Sequence, residues 1–339
     1  MQTLQLARLV EEAGLDVSVV QTNHPYQPAW IENLRGLRAV FRLLPYLWRV
    51  WRLCGRVDVV HLMANSGWSW QLFCAPVLWI GWLRSTPVIV NYRGGEAESY
   101  LAQSARWVRP SLSRAASLVV PSGFLQDVFS RFDIASAVIP NIIDLETFSP
   151  PSRVDSRTEF TLAVTRNLEP IYGLDVAIRA LSIAHKVVPE LRLVVAGSGP
   201  QRAELEALVA ELGLNDTVDF CGRLSREEIV DLYHRADAAL NPTHVDNMPN
   251  SVLEALACGL PVISTDVGGV PFIVQDGKTA VLVPPNDAEA MAEAMVRVRQ
   301  DESLRLSLSD AGRVDVTQYA WDKVKPQWMA LYERLGAAV

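Results

Sequence analysis

Residues 241–265, with the sequence NPTHVDNMPNSVLEALACGLPVIST, carry the side chains best suited to chemistry. Asp246 lies in the loop before a predicted helix, and Glu254 lies inside that helix. Their spacing exceeds two helical turns, so the two carboxylates do not form one acid pair. The N–H groups of residues 247–251 lie between them, at the positive end of the helix, where a phosphate can bind. A carboxylate inside the helix could then hold a ribose diol, and the loop carboxylate a sugar hydroxyl. This arrangement could form a site for a sugar nucleotide.

The same residues also allow a purely structural interpretation. Ser251 and Glu254 have the spacing of a capping box, in which each side chain bonds a backbone N–H at the start of a helix. Asp246 or Asn247 could equally cap the helix. On this segment alone both interpretations remain open, because short motifs recur by chance.

The segment resembles the signature of retaining, nucleotide-sugar-dependent glycosyltransferases of the GT-B fold, grouped as family 4 or glycosyl transferases group 1. Asp246 replaces the first Glu of the family pattern Glu-Gly-x-x-x-x-x-x-Glu-Ala-x-Ala-x-Gly-x-Pro-Val, and Asn247 replaces its Gly. The positions that match are Glu254, Ala255, Ala257, Gly259, Pro261 and Val262. The resemblance implies a catalytic role for Asp246, and donor binding by Glu254 and the helix start. The residues of the helix start are Asn247, Met248, Pro249, Asn250 and Ser251.

A second family signature lies at residues 165–173, TRNLEPIYG. A retaining transfer needs the leaving diphosphate neutralised as the glycosidic bond stretches, and preorganised charges supply most of that stabilisation. In the family, an Arg and a Lys six residues later hold the pyrophosphate. Arg166 matches the Arg, which implies catalytic and donor-binding roles, whereas Tyr172 occupies the Lys position in the donor site. A phenol can donate a hydrogen bond but carries no positive charge at neutral pH. The alternative for Arg166 is a surface salt bridge.

Two turns after predicted strands complete the implied donor site. Gly197 and Gly199 belong to a Gly-x-Gly-Pro turn that the family shares, although such turns often serve only close packing of a helix on a strand. Arg223 and Leu224 follow the next strand and would flank the nucleotide base by resemblance. Ligands of such sheets bind beyond the carboxyl ends of the strands, where all these turns fall.

Two series of elements must position these residues. Short β-branched runs alternate with helical stretches, which is typical of doubly wound parallel sheets. The predicted strands are residues 17–20, 57–62, 87–92, 117–122 and 136–140, followed by 160–165, 191–197, 217–222, 238–242, 261–265 and 280–284. A stretch rich in Pro, Ser and Asp separates the two series and suits a linker.

The fold predicted from this order is α/β, and the resemblance implies the GT-B architecture of two Rossmann-like doubly wound domains facing a cleft. Residues 1–150 are the predicted acceptor-side domain, and residues 151–318 the predicted domain for the nucleotide sugar. Residues 319–339 resemble a terminal helix that returns to the first domain in this family.

The start of the first domain differs from the family pattern. Relatives begin with a strand and a Gly-rich loop that contacts the donor phosphates, whereas this chain begins with a segment that resembles the following helix. We therefore expect a domain without its first strand. The family also places a His beside the transferred sugar, and Arg93 occupies that position, followed by two glycines. This implies a catalytic role for Arg93, while His61 is predicted to be structural.

Composition limits the remaining classes of function. The 339-residue chain has a net charge of −7, which argues against a nucleic-acid-binding protein. Its four cysteines have no C-x-x-C spacing and are predicted to be small core residues. His244 and Asp246 form one short cluster without further ligands, so we expect no metal and no cofactor besides the nucleotide-sugar co-substrate. No strand–GxGxxG–helix unit with a suitably placed acid occurs, which argues against a dinucleotide oxidoreductase.

No segment of the sequence has the length of a membrane span. Residues 59–83 contain no charged side chain, but polar residues leave only residues 72–83 as an apolar stretch, which is too short to cross a bilayer. We predict a buried helix there. The first residues carry acids and no unbroken apolar run, so we expect no signal peptide and a cytoplasmic location.

A basic and aromatic segment at residues 35–56 predicts association with the inner face of the plasma membrane. The segment contains no acid, and Pro45 is predicted to divide it into two short helices. Such a segment suits the headgroup region of an anionic leaflet. In the alternative, the aromatic side chains pack on the sheet and the arginines form a solvated helix face. The arginines are Arg35, Arg38, Arg42, Arg49, Arg52 and Arg56, and the aromatic residues are Phe41, Tyr46, Trp48 and Trp51.

Two functional hypotheses remain for the whole chain. The first is a metal-independent retaining glycosyltransferase of the hexosyltransferase type. Its donor would be a UDP-sugar, with GDP-mannose second, and its hydroxyl acceptor a lipid-linked glycan or a polysaccharide. The second is a non-catalytic relative that binds a sugar nucleotide or a partner transferase, which Tyr172 and the altered first domain favour. The presence of Arg166 and Glu254 favours the enzyme.

Overall fold

The computed structural model describes residues 2–22, 38–151 and 159–336. The chain divides into two compact units, each described here by itself. One unit comprises Met1–Ile142 with Val324–Val339, and the other comprises Ile143–Lys323. These divisions lie close to the predicted domain bounds at residues 150 and 318.

The first unit contains a four-stranded parallel sheet with helices around it. Its strands are β1 (Val60–Ala64), β2 (Val88–Tyr92), β3 (Ser117–Val120) and β4 (Ala137–Val138). Its helices before the second unit are α1 (Gln2–Glu12), α2 (Arg38–Leu53), α3 (Ala75–Leu83), α4 (Ala97–Leu112) and α5 (Gly123–Ser130). The strand order is β1-β2-β3-β4. Every residue of β2 is buried, as expected for a parallel strand that is covered on both faces.

The prediction of a strand at residues 17–20 is wrong. This segment has no regular secondary structure and pairs with no strand of the described residues, and Val19 is 47% exposed. The β-branched side chains favour a strand only where a neighbouring strand supplies hydrogen bonds and packing. Without such a neighbour the segment remains irregular.

The prediction that Pro45 divides residues 35–56 into two helices is also wrong. The helix α2 is continuous across the proline. The side chain of Tyr46, directly after the proline, and that of Val50, about one turn further along, are buried in the core of the unit. This packing holds the helix together although the proline lacks one N–H donor.

The segment 72–83 is only partly the buried helix that was expected. It forms α3 from Ala75 onwards, and Val77 and Leu78 of this helix are buried. Its other face is open to solvent, because Trp82 is 57% and Leu83 is 60% exposed. Within the described residues, no helix is both long and apolar enough to cross a membrane.

The second unit contains a six-stranded parallel sheet. Its strands are β5 (Phe160–Thr165), β6 (Leu191–Ala196), β7 (Val218–Gly222), β8 (Ala238–Asn241), β9 (Val262–Thr265) and β10 (Val281–Val283). Its helices are α6 (Leu174–Ala184), α7 (Arg202–Glu211), α8 (Arg226–Arg235), α9 (Asn250–Ala257), α10 (Ala288–Gln300) and α11 (Glu302–Val316). The last helix, α12 (Trp321–Arg334), belongs to the first unit from Val324 onwards.

The strand order of this sheet, β10-β9-β8-β5-β6-β7, creates a switch point between β5 and β8. From β5 the chain proceeds to β6 and β7 on one side, and then returns to β8 and continues to β9 and β10 on the other. Loops leave the carboxyl ends of β5 and β8 in opposite directions, which opens a crevice there. A ligand site in this unit is therefore expected beyond these two strand ends.

The cysteine prediction holds for three of the four residues. Cys54, Cys74 and Cys258 are buried, and all four thiols are free. Cys221 is exposed because it lies on the edge strand β7, where alternate side chains face solvent.

Candidate functional site

Arg166 lies at the switch point, because it directly follows β5. Its Nε donates a hydrogen bond of 2.9 Å to the Oδ1 atom of Asn241, the last residue of β8. The amide of Asn241 is oriented in turn by a 2.9 Å bond from its Nδ2 to the Oγ of Ser264 on β9. Three adjacent strand ends thus fix the guanidinium at the mouth of the crevice.

Arg166 and Asp246, both predicted to act in catalysis, form an ion pair through Nη2 and Oδ2. Their side chains are only 12% and 14% exposed. The second carboxylate oxygen of Asp246 accepts a 2.8 Å bond from the backbone N–H of Asn247. The Nη1 group of Arg166 makes no hydrogen bond to the described part of the chain, so this edge of the guanidinium can receive an anion.

Tyr172 contributes a ring rather than a charge. Its ring centroid lies 4.9 Å from the Arg166 guanidinium, a cation–π arrangement. Gly173 has a φ of +60°, and a side chain there would overlap with the Pro242 carbonyl oxygen. The loop is further tied down by a 2.8 Å bond from the His244 N–H to the Ile171 carbonyl. Tyr172 therefore stacks on Arg166, at a position where the family pattern has a lysine.

The capping-box interpretation of Ser251 and Glu254 is wrong. The helix α9 begins at Asn250, so Ser251 already lies inside its first turn, and no side chain caps the helix. The N-cap position belongs to Pro249, which also removes Asp246 and Asn247 as caps. The Oγ of Ser251 is buried without a hydrogen-bond partner. The start of α9 thus offers the positive end of the helix dipole and the unpartnered Ser251 hydroxyl to a bound anion.

Glu254 is a buried carboxyl on α9. Burial raises the pKa of Glu254 to about 7, and the charges of Arg226 and Arg166 oppose that rise. Tyr233 connects this helix to β5, because its hydroxyl bonds the Oγ1 of Thr165 at 2.6 Å and the Ser251 carbonyl at 3.2 Å. Arg166 and the first turn of α9 are therefore held close together.

Three residues of this environment were not predicted from the sequence. Arg226 donates a 3.0 Å bond to Asp144 Oδ2, and its guanidinium lies 5.2 Å from the Phe148 ring centroid. Tyr233 and Asn241 were missed as well. A weak signal existed for Asn241, a polar residue that ends a buried strand, but nothing local marked Arg226 or Tyr233.

The two turns of the predicted donor site have different surroundings. A side chain on Gly197 would overlap with the Arg166 carbonyl, and one on Gly199 with the Leu168 carbonyl. These glycines therefore allow the turn to pack directly on the segment that carries Arg166. Arg223 is exposed just beyond β7, and Leu224 is half-buried and packs against the core cluster that includes Met248 and Val252.

Arg93 lies in the first unit, immediately after β2. Its backbone N–H bonds the Ala64 carbonyl at 3.0 Å, and its Nε donates a 3.3 Å bond to Asn91 Oδ1. Burial lowers the pKa of Arg93 to about 10. A side chain on Gly94 would meet Asn65, Ser66 and Tyr92, so the backbone here is closely packed. No group of three or more potential metal ligands occurs among the described residues of either unit.

Both units match known protein-family models. Residues 146–315 match the model described as glycosyl transferases group 1, and residues 1–147 match the model described as glycosyltransferase family 4. The chain belongs to the glycosyl transferases group 1 family. The prediction of family membership from the residue 246–262 signature is thereby confirmed.

Among curated relatives, the chain is similar to a D-inositol 3-phosphate glycosyltransferase of Saccharomonospora viridis. The two are 30% identical over 247 residues, which is 67% of this chain and 57% of that protein. It is also 33% identical to an exopolysaccharide phosphotransferase of Streptomyces coelicolor over 69% of this chain and 22% of that protein. The chain thus covers less than two thirds of the length of these relatives.

Solved structures show the same fold. Sucrose-phosphate synthase from Thermosynechococcus elongatus gives a TM-score of 0.76 at 22% identity, covering 98% of this chain and 92% of the other. HepE of Anabaena in complex with UDP-glucose gives 0.74 at 18% identity, covering 87% and 84%. The fold of this family member is therefore GT-B with two Rossmann-like domains, as predicted.

Proposed function

We propose that the protein is a retaining glycosyltransferase that moves a sugar from a nucleotide donor to a hydroxyl acceptor. One observation carries the proposal: the Arg166 guanidinium is fixed at the switch point beside the uncapped start of α9 and the buried carboxyl of Glu254. This cluster combines a cation and the positive end of a helix for a diphosphate with an acceptor for ribose hydroxyls.

In the proposed reaction the bond between the anomeric carbon and the diphosphate oxygen breaks. The acceptor oxygen bonds the anomeric carbon on the same face, and its proton passes to the departing phosphate oxygen. Arg166 and the α9 N-terminus offset the charge that develops on the diphosphate. Asp246 exchanges its bond to Arg166 for hydroxyls of the transferred sugar. Because these groups supply the positive charge, we expect turnover to persist in the presence of EDTA.

A UDP-sugar is the favoured donor, with GDP-mannose second. Structures of Anabaena HepE contain UDP or UDP-glucose, and a structure of Staphylococcus aureus TarM contains UDP. We propose a lipid-linked glycan or a polysaccharide as acceptor. The alternative is a non-catalytic relative, which the pairing of Arg166 with Asp246 and the tyrosine at position 172 favour.

The proposal is tested with Arg166 and a panel of donors. Release of UDP or GDP from each nucleotide sugar is measured for the full chain, and the anomeric configuration of any product is read by NMR. Arg166→Ala should lower kcat about 100-fold or more with a much smaller change in donor KM, because the charge develops in the transition state. Arg166→Lys retains the charge but loses the fork to Asn241 and Asp246, and should be intermediate.

The outcomes separate the two functions. UDP binding by calorimetry without release from any donor would establish the non-catalytic alternative. Unchanged kcat in Arg166→Ala, with the melting temperature preserved, would remove Arg166 from the mechanism.

We further propose that the first unit associates with a membrane surface through α2 and α3. The apolar side chains exposed on these helices, here called the aromatic face, are Phe41, Leu44, Trp48, Trp51, Trp79, Trp82 and Leu83. Tyr46 alone among the four aromatic residues of residues 35–56 is buried. Arg35 lies outside the described residues, and Arg38 is described only as part of the α2 backbone.

A further inference from the structure

Arg93 lies at the end of a series of hydrogen bonds that begins on α12. The Tyr332 hydroxyl lies 2.7 Å from His61 Nδ1, and His61 Nε2 lies 3.1 Å from Asn91 Nδ2. Asn91 Oδ1 then accepts the 3.3 Å bond from Arg93 Nε. All four residues belong to the first unit, and Asn91 is only 1% exposed.

The chemistry of Arg93 dictates the direction of every bond in this series. A guanidinium can only donate, so the oxygen of the Asn91 amide must face it. The Nδ2 group of Asn91 therefore faces His61 and donates to Nε2. Because Nε2 accepts, the imidazole proton lies on Nδ1 and is donated to the Tyr332 oxygen. A single tautomer of His61 satisfies the whole series.

The surroundings of His61 keep it in that neutral form. Burial, followed by the charge of Arg93, lowers the pKa of His61 to about 3. The ring of Trp328 on α12 lies over the imidazole with centroids 4.8 Å apart, and stacks on Tyr332 at 5.9 Å. Arg93 and the Tyr332 hydroxyl are the titratable groups that bond into the series from the packed elements, and neither is negatively charged at neutral pH.

We infer that Tyr332, His61 and Asn91 are positioning residues that orient the Arg93 side chain. The neutral Nδ1–H tautomer of His61 prevents the Asn91 amide from turning over, so that an oxygen always faces Arg93. The role of Arg93 in turnover is the one that its position in the family pattern implies, and it rests on the proposed glycosyl transfer, whereas the hydrogen bonds themselves do not. Tyr332 on α12, 271 residues after His61 in the sequence, would thereby help to orient Arg93 at the end of β2.

The hydrogen bonds are tested by NMR on the full chain, independently of activity. Nitrogen-15 shifts of the His61 ring should show a protonated Nδ1 and an unprotonated Nε2 from pH 5 to 8. Arg93 Nε–H should give a resonance protected from exchange with water, which weakens in Tyr332→Phe. A protonated Nε2 in the unmodified protein would overturn the inference whether or not the protein turns over a donor.

The positioning role is tested by rescue. Asn91→Leu removes the acceptor of the Arg93 Nε–H group and should lower kcat about tenfold or more, with donor KM nearly unchanged. Tyr332→Phe should cost a few-fold in kcat, because the buried Nδ1–H of His61 then loses its acceptor, which weakens the preference for this tautomer and for the Asn91 orientation that it favours. In an Asn91→Asp background the loss from Tyr332→Phe should vanish, since both carboxylate oxygens accept and no orientation has to be selected.

Trp328→Phe is the matched control on α12. It changes packing against the same imidazole but removes no bond of the series, so it should lower the melting temperature and leave kcat unchanged. Equal losses of kcat in Tyr332→Phe with and without Asn91→Asp would contradict the positioning role. So would a loss in Trp328→Phe as large as that in Tyr332→Phe. Absence of turnover in the unmodified protein would instead count against the proposed function, and the NMR result would still decide on the hydrogen bonds.

Discussion

Among single residues, Glu254 shows how burial and binding are coupled. Its pKa is raised from 4.5 to about 7, mainly because the carboxyl is desolvated. The folded protein therefore binds this proton more tightly than the unfolded chain does. The resulting stabilisation is complete below pH 4.5 and is lost as the pH rises through 7. Ribose hydroxyls, in contrast, are held best by the ionised form.

Glu254→Gln should separate these two effects. At pH 5 the variant and the unmodified protein should have similar melting temperatures, because both side chains are neutral. At pH 8.5 the variant should be more stable, by at most roughly 3 kcal/mol at about 1.4 kcal/mol per pKa unit. Its affinity for UDP, measured by calorimetry, should be lower at pH 8.5 and should not increase between pH 6 and 8.5 as that of the unmodified protein does.

The exposed Glu211 on α7 provides the control for Glu254. Glu211→Gln removes the same charge from the same unit and should alter neither stability nor UDP affinity at either pH. If Glu254→Gln lowers the melting temperature at both pH values and leaves UDP affinity intact, Glu254 has a structural role only.

Residues that belong to a family motif could be predicted from the sequence, whereas residues that act through contacts between distant parts of the chain could not. Arg166, Asp246 and Glu254 were predicted because family signatures fix their type and spacing. Asn241 and Arg226 were not, because their bonds to Arg166 and Asp144 span 75 and 82 residues of sequence. Such pairings depend on strand order, which a local pattern does not contain.

At the scale of elements, the position of a helix start decides what a motif does. Among the described helices, two carry a Ser-x-x-Glu motif at their start. At Ser225 and Glu228 the serine is the N-cap of α8 and both hydrogen bonds of a capping box form. At Ser251 and Glu254 the serine lies two residues beyond the N-cap Pro249, inside the first turn of α9, which leaves the glutamate for other partners. A shift of two residues in the helix start separates a structural motif from a candidate ligand site.

Strand predictions succeeded where a run of residues pairs with a neighbouring strand. The largely buried strands β2, β5 and β6 and the partly exposed edge strand β7 all lie within one residue of their predicted bounds. Residues 17–20 have the same composition but no pairing partner among the described strands. Composition therefore predicts a strand reliably only together with a neighbour, which the sequence does not identify.

Gly197 allows the turn after β6 to pack directly on the segment that carries Arg166. Gly197→Ala would place a methyl group against the Arg166 carbonyl, which is backbone and cannot rotate away. We expect a loss of about 1–3 kcal/mol in the free energy of unfolding, measured in urea, together with weaker UDP binding because Arg166 is displaced. Gly213→Ala is the matched control, since its φ of +70° strains the backbone but no atom lies within 4 Å.

The control should lose only about 1 kcal/mol and should bind UDP as the unmodified protein does. Wild-type UDP affinity in Gly197→Ala would show that the turn and Arg166 are not mechanically coupled. The glycine would then be required for packing alone.

At the scale of the whole molecule, charge and exposed apolar area are unevenly distributed. The chain has a net charge of −7, yet residues 38–57 and 59–95 contain no Asp or Glu. The two helices of the aromatic face pack against each other. Arg84 lies 5.2 Å from the Trp51 ring, and Arg114 lies 3.4 Å from the Trp79 ring. Arginines stacked on exposed indoles are suited to the headgroup region of an anionic leaflet, where each contributes about 1 kcal/mol.

The last prediction is that the aromatic face binds anionic vesicles. In flotation experiments the full chain should be recovered with vesicles that contain phosphatidylserine, and much less with pure phosphatidylcholine. Recovery should fall as salt increases, because the arginine contribution is screened. The double variant Trp48→Ser and Trp82→Ser removes side chains that are 62% and 57% exposed, and should abolish binding without lowering the melting temperature.

A matched pair of substitutions lies in the second unit, where Leu306 and Val314 are 58% and 73% exposed. Leu306→Ser with Val314→Ser removes similar exposed apolar side chains from α11 and should leave flotation unchanged. Binding lost equally in both double variants would indicate general stickiness rather than docking through one face. Equal recovery on neutral and anionic vesicles, or no binding at low salt, would refute the membrane proposal. Because the aromatic face and Arg166 lie in different units, donor turnover in detergent-free buffer should be the same in all of these variants.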